Sequence, residues 1–321
     1  MSIKTTLSRT IKKSLEKLNI EIENEIIIEK PNKKENGDYS TNIALTLVKK
    51  LKKNPMEIAK LIEENIELTD MIEKIEIANP GFINFYLKPE FLLNQINEII
   101  TQKNEYGKNN FGNHKKINIE FVSANPTGIL HIGHGRGATY GDNLARILDY
   151  SGFDVTKEYY VNDAGNQMNN LGISIKERYK ELCGLGCDLP ENGYHGKEII
   201  TLAQKIYDEY GTQKLESDIE FFKQQGLEKL LDQIKKDLDR YRVNFNVFTS
   251  EQSIYDKCLV EDTLSKLKNS GNCYIKDDAL WLKTTNYGDE KDRVLIKSDG
   301  NYTYLTPDIA YHLDKISRGY D

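Results

Sequence analysis

The segment Ile117-Asn118-Ile119-Glu120-Phe121-Val122-Ser123, then Ala124-Asn125-Pro126-Thr127-Gly128, then Ile129-Leu130-His131-Ile132-Gly133-His134-Gly135-Arg136-Gly137 decides how this chain folds. The apolar first run reads as a strand, Pro126 to Gly128 as a turn, and the glycine-rich end as the start of a helix. A helix N-terminus reached through such a turn binds anions, because unsatisfied backbone N–H groups and the positive end of the helix dipole meet there. His131 and His134 add side-chain donors. A site of this kind holds a nucleotide phosphate and stabilises charge that builds on it during reaction.

Downstream, a helix is predicted over about 133–150, with Ala138, Leu144, Ala145, Ile147 and Leu148 on its apolar face and a stop at Ser151-Gly152. A second strand follows over 154–161, ending at Val161-Asn162-Asp163. Strand–helix–strand order implies a right-handed crossover and a parallel sheet, whose ligands lie at the carboxyl ends of its strands. Beyond residue 164 the chain turns helical, with polar breaks near Gly184-Leu185-Gly186 and Glu191-Asn192-Gly193. A long amphipathic helix over 217–242 and strand-like pieces at 272–282 and 293–296 complete this part. Residues from about 170 to 290 therefore read as an insertion between two halves of the parallel sheet.

Upstream, residues 1–110 read as a small α+β domain. It is predicted to hold a helix over 2–19, a strand over 25–29, and a turn at Glu35–Tyr39 that leads into a helix from Thr41, capped by Asp38 or Ser40. Asn54-Pro55 opens another helix, strands over 75–78 and 82–87 form a hairpin about Asn79-Pro80-Gly81, and a helix covers 89–103. Gly107 to Asn113 reads as the linker to a second domain over 111–321.

With 321 residues there is room for two domains and an ample core, and 38% hydrophobic with 29% charged residues is ordinary for a globular chain. No apolar run approaches the roughly 20 residues of a membrane span. A net charge of −6 excludes a uniformly basic nucleic-acid binder. Charge is uneven: residues 1–60 carry 13 Lys and Arg against 8 Asp and Glu, so the acidic excess lies further on. Four cysteines in so long a chain fit reduced thiols in a cytoplasmic protein. The basic, acid-poor N-terminus has some character of a transit peptide, but the apolar spacing Ile3, Leu7, Ile11, Leu15, Leu18 continues unbroken, which favours a helix of the mature domain.

His131-Ile132-Gly133-His134 resembles the HIGH signature of class I aminoacyl-tRNA synthetases and related nucleotidylyl transferases. Its flanks, Glu120 to Gly128 before and Gly135-Arg136 after, narrow the likeness, as do Val161-Asn162-Asp163-Ala164-Gly165 and Tyr302-Thr303-Tyr304-Leu305-Thr306-Pro307-Asp308-Ile309-Ala310-Tyr311. Together they resemble the arginyl-tRNA synthetase family. The first domain is similar to that family's N-terminal domain through Glu35-Asn36-Gly37-Asp38-Tyr39-Ser40 and Asn79-Pro80-Gly81-Phe82-Ile83-Asn84. The implied fold is a Rossmann-like parallel α/β sheet, its first half with an insertion, preceded by the α+β domain.

The resemblance implies a two-step ligase reaction of translation. The carboxylate of L-arginine attacks the α-phosphorus of ATP, which arrives with Mg2+; arginyl-adenylate and pyrophosphate form, and a ribose hydroxyl of the terminal adenosine of tRNA(Arg) then takes the arginyl group. His131 and His134 would be the catalytic donors, and Gly133, His134 and Gly135 would bind ATP. Arginine would be held by Glu120, Ser123, Asn125, His131, Tyr304 and Asp308, with Asp308 gripping the guanidinium, Asn125 the α-amino group, and His131 beside the carboxylate. Planar paired acceptors suit the rigid fork of guanidinium donors. Asn79, Phe82 and Asn84 match family positions that contact the tRNA D-loop, although the family often has glutamine where Asn84 stands. No protein-bound metal, no membrane association and a monomer are expected.

Other readings of the same residues stay open at this level. His131-x-x-His134, or Cys183, Cys187 and His195, lack the ligand spacing of common zinc sites. Gly135-x-Gly137 resembles a dinucleotide fingerprint, but the ribose-binding acid is misplaced. Asp308 after Pro307 has the look of a helix cap, and Asn79 and Asn84 of plain hairpin residues. Rival functions are another class I synthetase or nucleotidylyl transferase, or a non-catalytic RNA-binding fragment. The family continues for a couple of hundred residues that carry the second half of the nucleotide fold, a Lys-Met-Ser-Lys-type loop and an anticodon-binding domain. Lys315-Ile316-Ser317-Arg318 imitates that loop but reads as a helix end. A chain ending at Asp321 is therefore expected to be a truncated piece without useful aminoacylation of its own.

Overall fold

The computed structural model describes residues 3–22 and 24–321. Two compact units divide the chain, Met1–Tyr106 and Gly107–Asp321. Ser2, expected in the first helix, lies outside the described residues.

In the first unit, α1 (Ile3–Lys17) buries Leu7, Ile11 and Leu15 at helical spacing. Strand β1 (Tyr39–Thr41), the single turns α2 (Ile43–Thr46) and α3 (Val48–Leu51), and α4 (Pro55–Glu64) follow. The Asn54 side chain accepts the Met56 N–H at 2.9 Å and caps α4 as its sequence implies. Strands β2 (Ile72–Ala78) and β3 (Phe82–Leu87) pair antiparallel, and α5 (Pro89–Gln102) ends the unit. The sheet order is β1-β3-β2, with Ile83, Phe85 and Leu87 in the core.

Two local expectations are corrected here. Residues 25–29 form no strand and contribute only the bridge of Glu29 to Ser40. The expected turn forms over Lys34–Asn36 and Gly37, but the residues expected to cap a helix after it lie beside and within β1. Asp38 accepts the Leu87 N–H at 2.8 Å rather than capping a helix, and Ser40 pairs opposite Asn84. Gly37 explains the difference: its φ of 89° brings the chain so close to β3 that a Cβ would lie 2.7 Å from the Phe85 carbonyl oxygen. The sheet ladder then captures residues whose local preference is for turns.

The second unit begins with β4 (Lys116–Glu120), α6 (Ile132–Tyr150) and β5 (Asp154–Val161). β4 and β5 are parallel, with Lys116 opposite Asp154 and Glu120 opposite Glu158. Helices α7 (Gly165–Leu182), α8 (Lys197–Tyr210) and α9 (Ile219–Arg240) bury Met168, Leu171, Ile175, Ile206 and Phe222 together. Then comes β6 (Val247–Ser250), which pairs parallel with β5 and completes the sheet order β4-β5-β6. The expected insertion over 170–290 is thus divided, because its residues 247–250 belong to the parallel sheet. What precedes them is a helical crossover between β5 and β6.

After α10 (Glu251–Asp256) and α11 (Leu259–Asn269), β7 (Cys273–Lys276), β8 (Ala279–Leu282) and β9 (Arg293–Ile296) form an antiparallel sheet. Helix α12 (Leu305–Ser317) packs on it through Ala310 and Tyr311. Asp277 and Asp278, both left-handed, make the two-residue turn between β7 and β8.

One buried network fastens α12 to the parallel sheet. Glu158 on β5 is 0% exposed. Both of its oxygens lie 3.0 Å from the Arg318 guanidinium, and Asn118 of β4 and Thr249 of β6 also donate to it. Burial by itself would raise this carboxyl; the donors from Thr249, Arg318 and Asn118 more than offset that and hold it below the usual 4.5. The contribution to stability is therefore complete above the unfolded value and is lost as pH falls through the lower, folded one. Arg318→Met is expected to lower the unfolding free energy by about 3 kcal/mol at neutral pH, because it leaves a buried charge unpaired. In denaturant titrations the gap from wild type should narrow below pH 4.5; a gap constant with pH would contradict the assignment.

Candidate functional site

Just past β4 the backbone enters an unusual path. Val122 and Ser123 are both left-handed, with φ of 66° and 42°. A β-branched residue there is strained and persists only when its surroundings hold it. Those surroundings are on β5. The Tyr160 N–H donates to the Ser123 hydroxyl at 3.1 Å, and the buried Tyr159 hydroxyl donates to the Ala124 carbonyl at 2.8 Å. Phe245 and Phe248 pack on the Tyr159 ring. The held turn opens a cavity of about 410 Å³ lined by Ser123, Asn125, Thr127, Gly128 and His134.

At the far side of this cavity the two histidines cap α6 reciprocally. His131 Nδ1 accepts the Gly133 N–H at 3.1 Å, and His134 Nδ1 accepts the His131 N–H at 3.2 Å. Their rings stack with centroids 3.8 Å apart. Both Nδ1 atoms are acceptors, so both neutral rings carry their proton on Nε2. This corrects the expectation of free backbone donors in part: the Gly133 N–H is already taken, and imidazole Nε2–H groups stand beside the remaining donors. Burial first, then His131, pushes the His134 imidazole below its usual 6.5. A Cβ on Gly133 would lie 2.9 Å from the His131 ring, whereas one on Gly135 would meet nothing within 4 Å. Gly133 therefore makes room for a histidine, and Gly135 leaves open space above the helix start.

The carboxylates divide into two sorts. Glu120 is already engaged: it accepts from Ser123 at 3.0 Å and pairs with Lys315 at 2.6 Å. The buried Lys315 ammonium also sits 4.0 Å over the Tyr311 ring. Asp308, in the first turn of α12, forms no ion pair among the described residues. Burial raises its carboxyl; His312 lowers it and Glu120 raises it. Near it stands Glu251, 8% exposed on α10 and also without an ion pair among the described residues. Burial raises this carboxyl above 4.5, Tyr160 lowers it, and the charges of Asp163 and Asp308 raise it further.

The structure thus joins Glu120 to Ser123 by a hydrogen bond, and Ser123, Asn125 and His134 in one cavity, while Asp308 senses Glu120 electrostatically. Tyr304 immediately precedes α12, 80% exposed, and its carbonyl accepts the Asp308 N–H at 3.3 Å. Asp308 does not cap that helix. Sequence reasoning missed Glu251, whose signal was weak: a Ser-Glu pair after a four-residue strand. It also missed Gln167, which accepts from the Asn125 amide at 2.6 Å. Among the described residues no group of three or more His, Cys, Asp or Glu is arranged to hold a metal ion, and no helix is long and apolar enough to cross a membrane.

The first unit has a cavity of its own, about 470 Å³, lined by Asn79, Phe82 and Asn84 together with Lys30 and Lys33. Phe82 is 37% exposed, while Asn84 is 4% exposed and accepts the Ser40 hydroxyl at 2.7 Å. The oxygen of its short amide is thereby used inside the domain.

Comparison with known proteins gives two family matches. The family described as "Arginyl tRNA synthetase N terminal domain" matches residues 5–87, and "tRNA synthetases class I (R), catalytic domain" matches residues 95–318. The chain belongs to the class I arginyl-tRNA synthetase family. It is 49% identical over 301 residues to an arginine–tRNA ligase of Shouchella clausii, covering 92% of this chain and 54% of that one. To the Bacillus subtilis arginine–tRNA ligase it is 44% identical over 327 residues, with 99% and 59% covered. Thermus thermophilus arginyl-tRNA synthetase shares the fold, with a TM-score of 0.66 at 24% identity over 97% of this chain and 53% of that structure. The chain spans about half the length of the relatives it matches.

For this synthetase-family chain the stacked histidines give a direct test. The folded His134 value lies below the unfolded one, so the contribution of its neutral ring is present above pH 6.5 and lost as pH falls through the folded value. Imidazole resonances followed by NMR should place the His134 midpoint below 6.5. His131→Ala should move it upward. A midpoint at or above 6.5 in the wild type would contradict the geometry.

Proposed function

We propose that this chain carries the arginine- and ATP-binding part of an arginine–tRNA ligase. The observation that carries the reading is the uncompensated acid pair, Asp308 and Glu251. Glu251 is buried and Asp308 exposed at its edge, and neither has a cation of its own among the described residues; a buried carboxylate in that state is costly unless a ligand brings one. A guanidinium is a planar cation with a fork of N–H donors that matches paired carboxylates. Arginine lying there, with Tyr304 at the rim, directs its α-amino group to Asn125 and its carboxylate toward His131. Ser123 and Glu120 border this slot, with Glu120 held in place by Lys315.

ATP, arriving with Mg2+, lies across the start of α6, where Gly135 leaves open space, Gly133 makes room for the His131 ring, and His131 and His134 donate through Nε2. No protein nucleophile is needed. The arginine carboxylate attacks the α-phosphorus, the bond to pyrophosphate breaks, and the imidazole donors stabilise charge on the transferring phosphate. The terminal ribose hydroxyl of tRNA(Arg) then attacks the arginyl carbonyl and loses its proton, the anhydride bond breaks, and AMP leaves. The first unit, Met1–Tyr106, contacts the tRNA through Asn79, Phe82 and Asn84, with the Phe82 ring as a stacking surface; the second unit, Gly107–Asp321, forms the first part of the catalytic domain. The protein acts as a cytoplasmic monomer.

Calorimetric titration with L-arginine tests the reading. Asp308→Asn and Glu251→Gln are each expected to weaken binding about tenfold or more, since each removes a charge-assisted hydrogen bond. Affinity in the wild type should rise with pH as both raised carboxyls ionise. Unchanged affinity in both variants would overturn the assignment.

A further inference from the structure

Asn125 has a carboxamide that can face the cavity in either of two senses, offering an acceptor or a donor. Its Nδ2 donates to Gln167 Oε1 at 2.6 Å, and no donor among the described residues takes its Oδ1. Gln167 lies in the first turn of α7, directly after the Val161-Asn162-Asp163-Ala164 end of β5, so a rigid element brings it there. Behind Asn125 the Tyr159 hydroxyl fixes the preceding carbonyl. The backbone and the amide are thereby held by separate groups.

We propose that Gln167 is a positioning residue that sets the sense of the Asn125 amide, so that an acceptor and not a donor is presented to the ligand. An acceptor favours an ammonium at this place and disfavours a carboxylate, which orients the two ends of an α-amino acid. The inference rests on the reading of the site as an arginine pocket. Asn125 and Gln167 are both exposed, so exchanging Gln167 leaves the core untouched.

The test is calorimetry on the chain with two ligands, L-arginine and 5-guanidinopentanoate, which is arginine without its α-amino group. Wild type and Gln167→Glu, which keeps an acceptor for Nδ2, should both prefer arginine. Gln167→Leu should lose about tenfold in arginine affinity, the worth of one hydrogen bond to a charged group, and nothing toward the analogue. Arginine affinity unchanged in Gln167→Leu overturns the role of Gln167 alone. Equal losses toward both ligands also overturn it, because they mark a structural effect. A wild-type chain that binds neither ligand overturns the arginine pocket itself and this proposal with it.

Discussion

The buried carboxylate of Glu158 is the constraint on which the second unit depends. An ionised group removed from water costs several kcal/mol unless its acceptors are filled. Here β4, β6 and α12 each supply a donor, through Asn118, Thr249 and Arg318. The cost is offset only when all three elements sit in register with β5, so the charge acts as a geometric test of the fold. Lys315 adds a second tether to the end of β4 at Glu120. Asp308 lies seven residues before Lys315 on the same helix, two turns away. The latch that satisfies two sheet carboxylates therefore also fixes where a third, unsatisfied one is presented.

That contrast separates structure from function in this molecule. Glu158, Glu120 and Asp142 are acids with cations of the protein's own; Asp142 pairs with Arg146 at 2.6 Å and Lys157 at 3.0 Å. Glu251 and Asp308 have none among the described residues; burial raises both, with Asp308 adding to the rise at Glu251 and Glu120 to that at Asp308. The strained pair Val122 and Ser123 belongs to the same logic. Its left-handed backbone is held by hydroxyl and amide groups of Tyr159, Tyr160 and Ser123, and it turns the chain so that Asn125 faces a cavity. Strain and unpaired charge both gather at the carboxyl end of the parallel sheet, where ligands of such folds bind.

Much of this was legible in the sequence, for reasons that differ by element. β4, α6 and β5 follow from apolar periodicity, a glycine-rich turn and a glycine stop, all local signals. β6 was not, because four residues carry no period and the strand exists only through its pairing with β5. β1 was misread because Asp38 and Ser40 favour turns and caps, while the ladder to β3 is non-local. In the site, the histidines, Asn125 and Asp308 stood out by motif. Glu251, Gln167, Lys315 and Arg318 did not, because their meaning lies in contacts made across the fold: 195 residues separate Lys315 from Glu120.

The central claim is that the acids near α12 await a cation of guanidinium shape. Comparing L-arginine with L-citrulline on the same chain tests it most directly, since citrulline keeps the length, the amino group and the carboxylate but is neutral at the far end. The account requires that arginine bind and that citrulline bind far more weakly. Equal affinity for the two would contradict it.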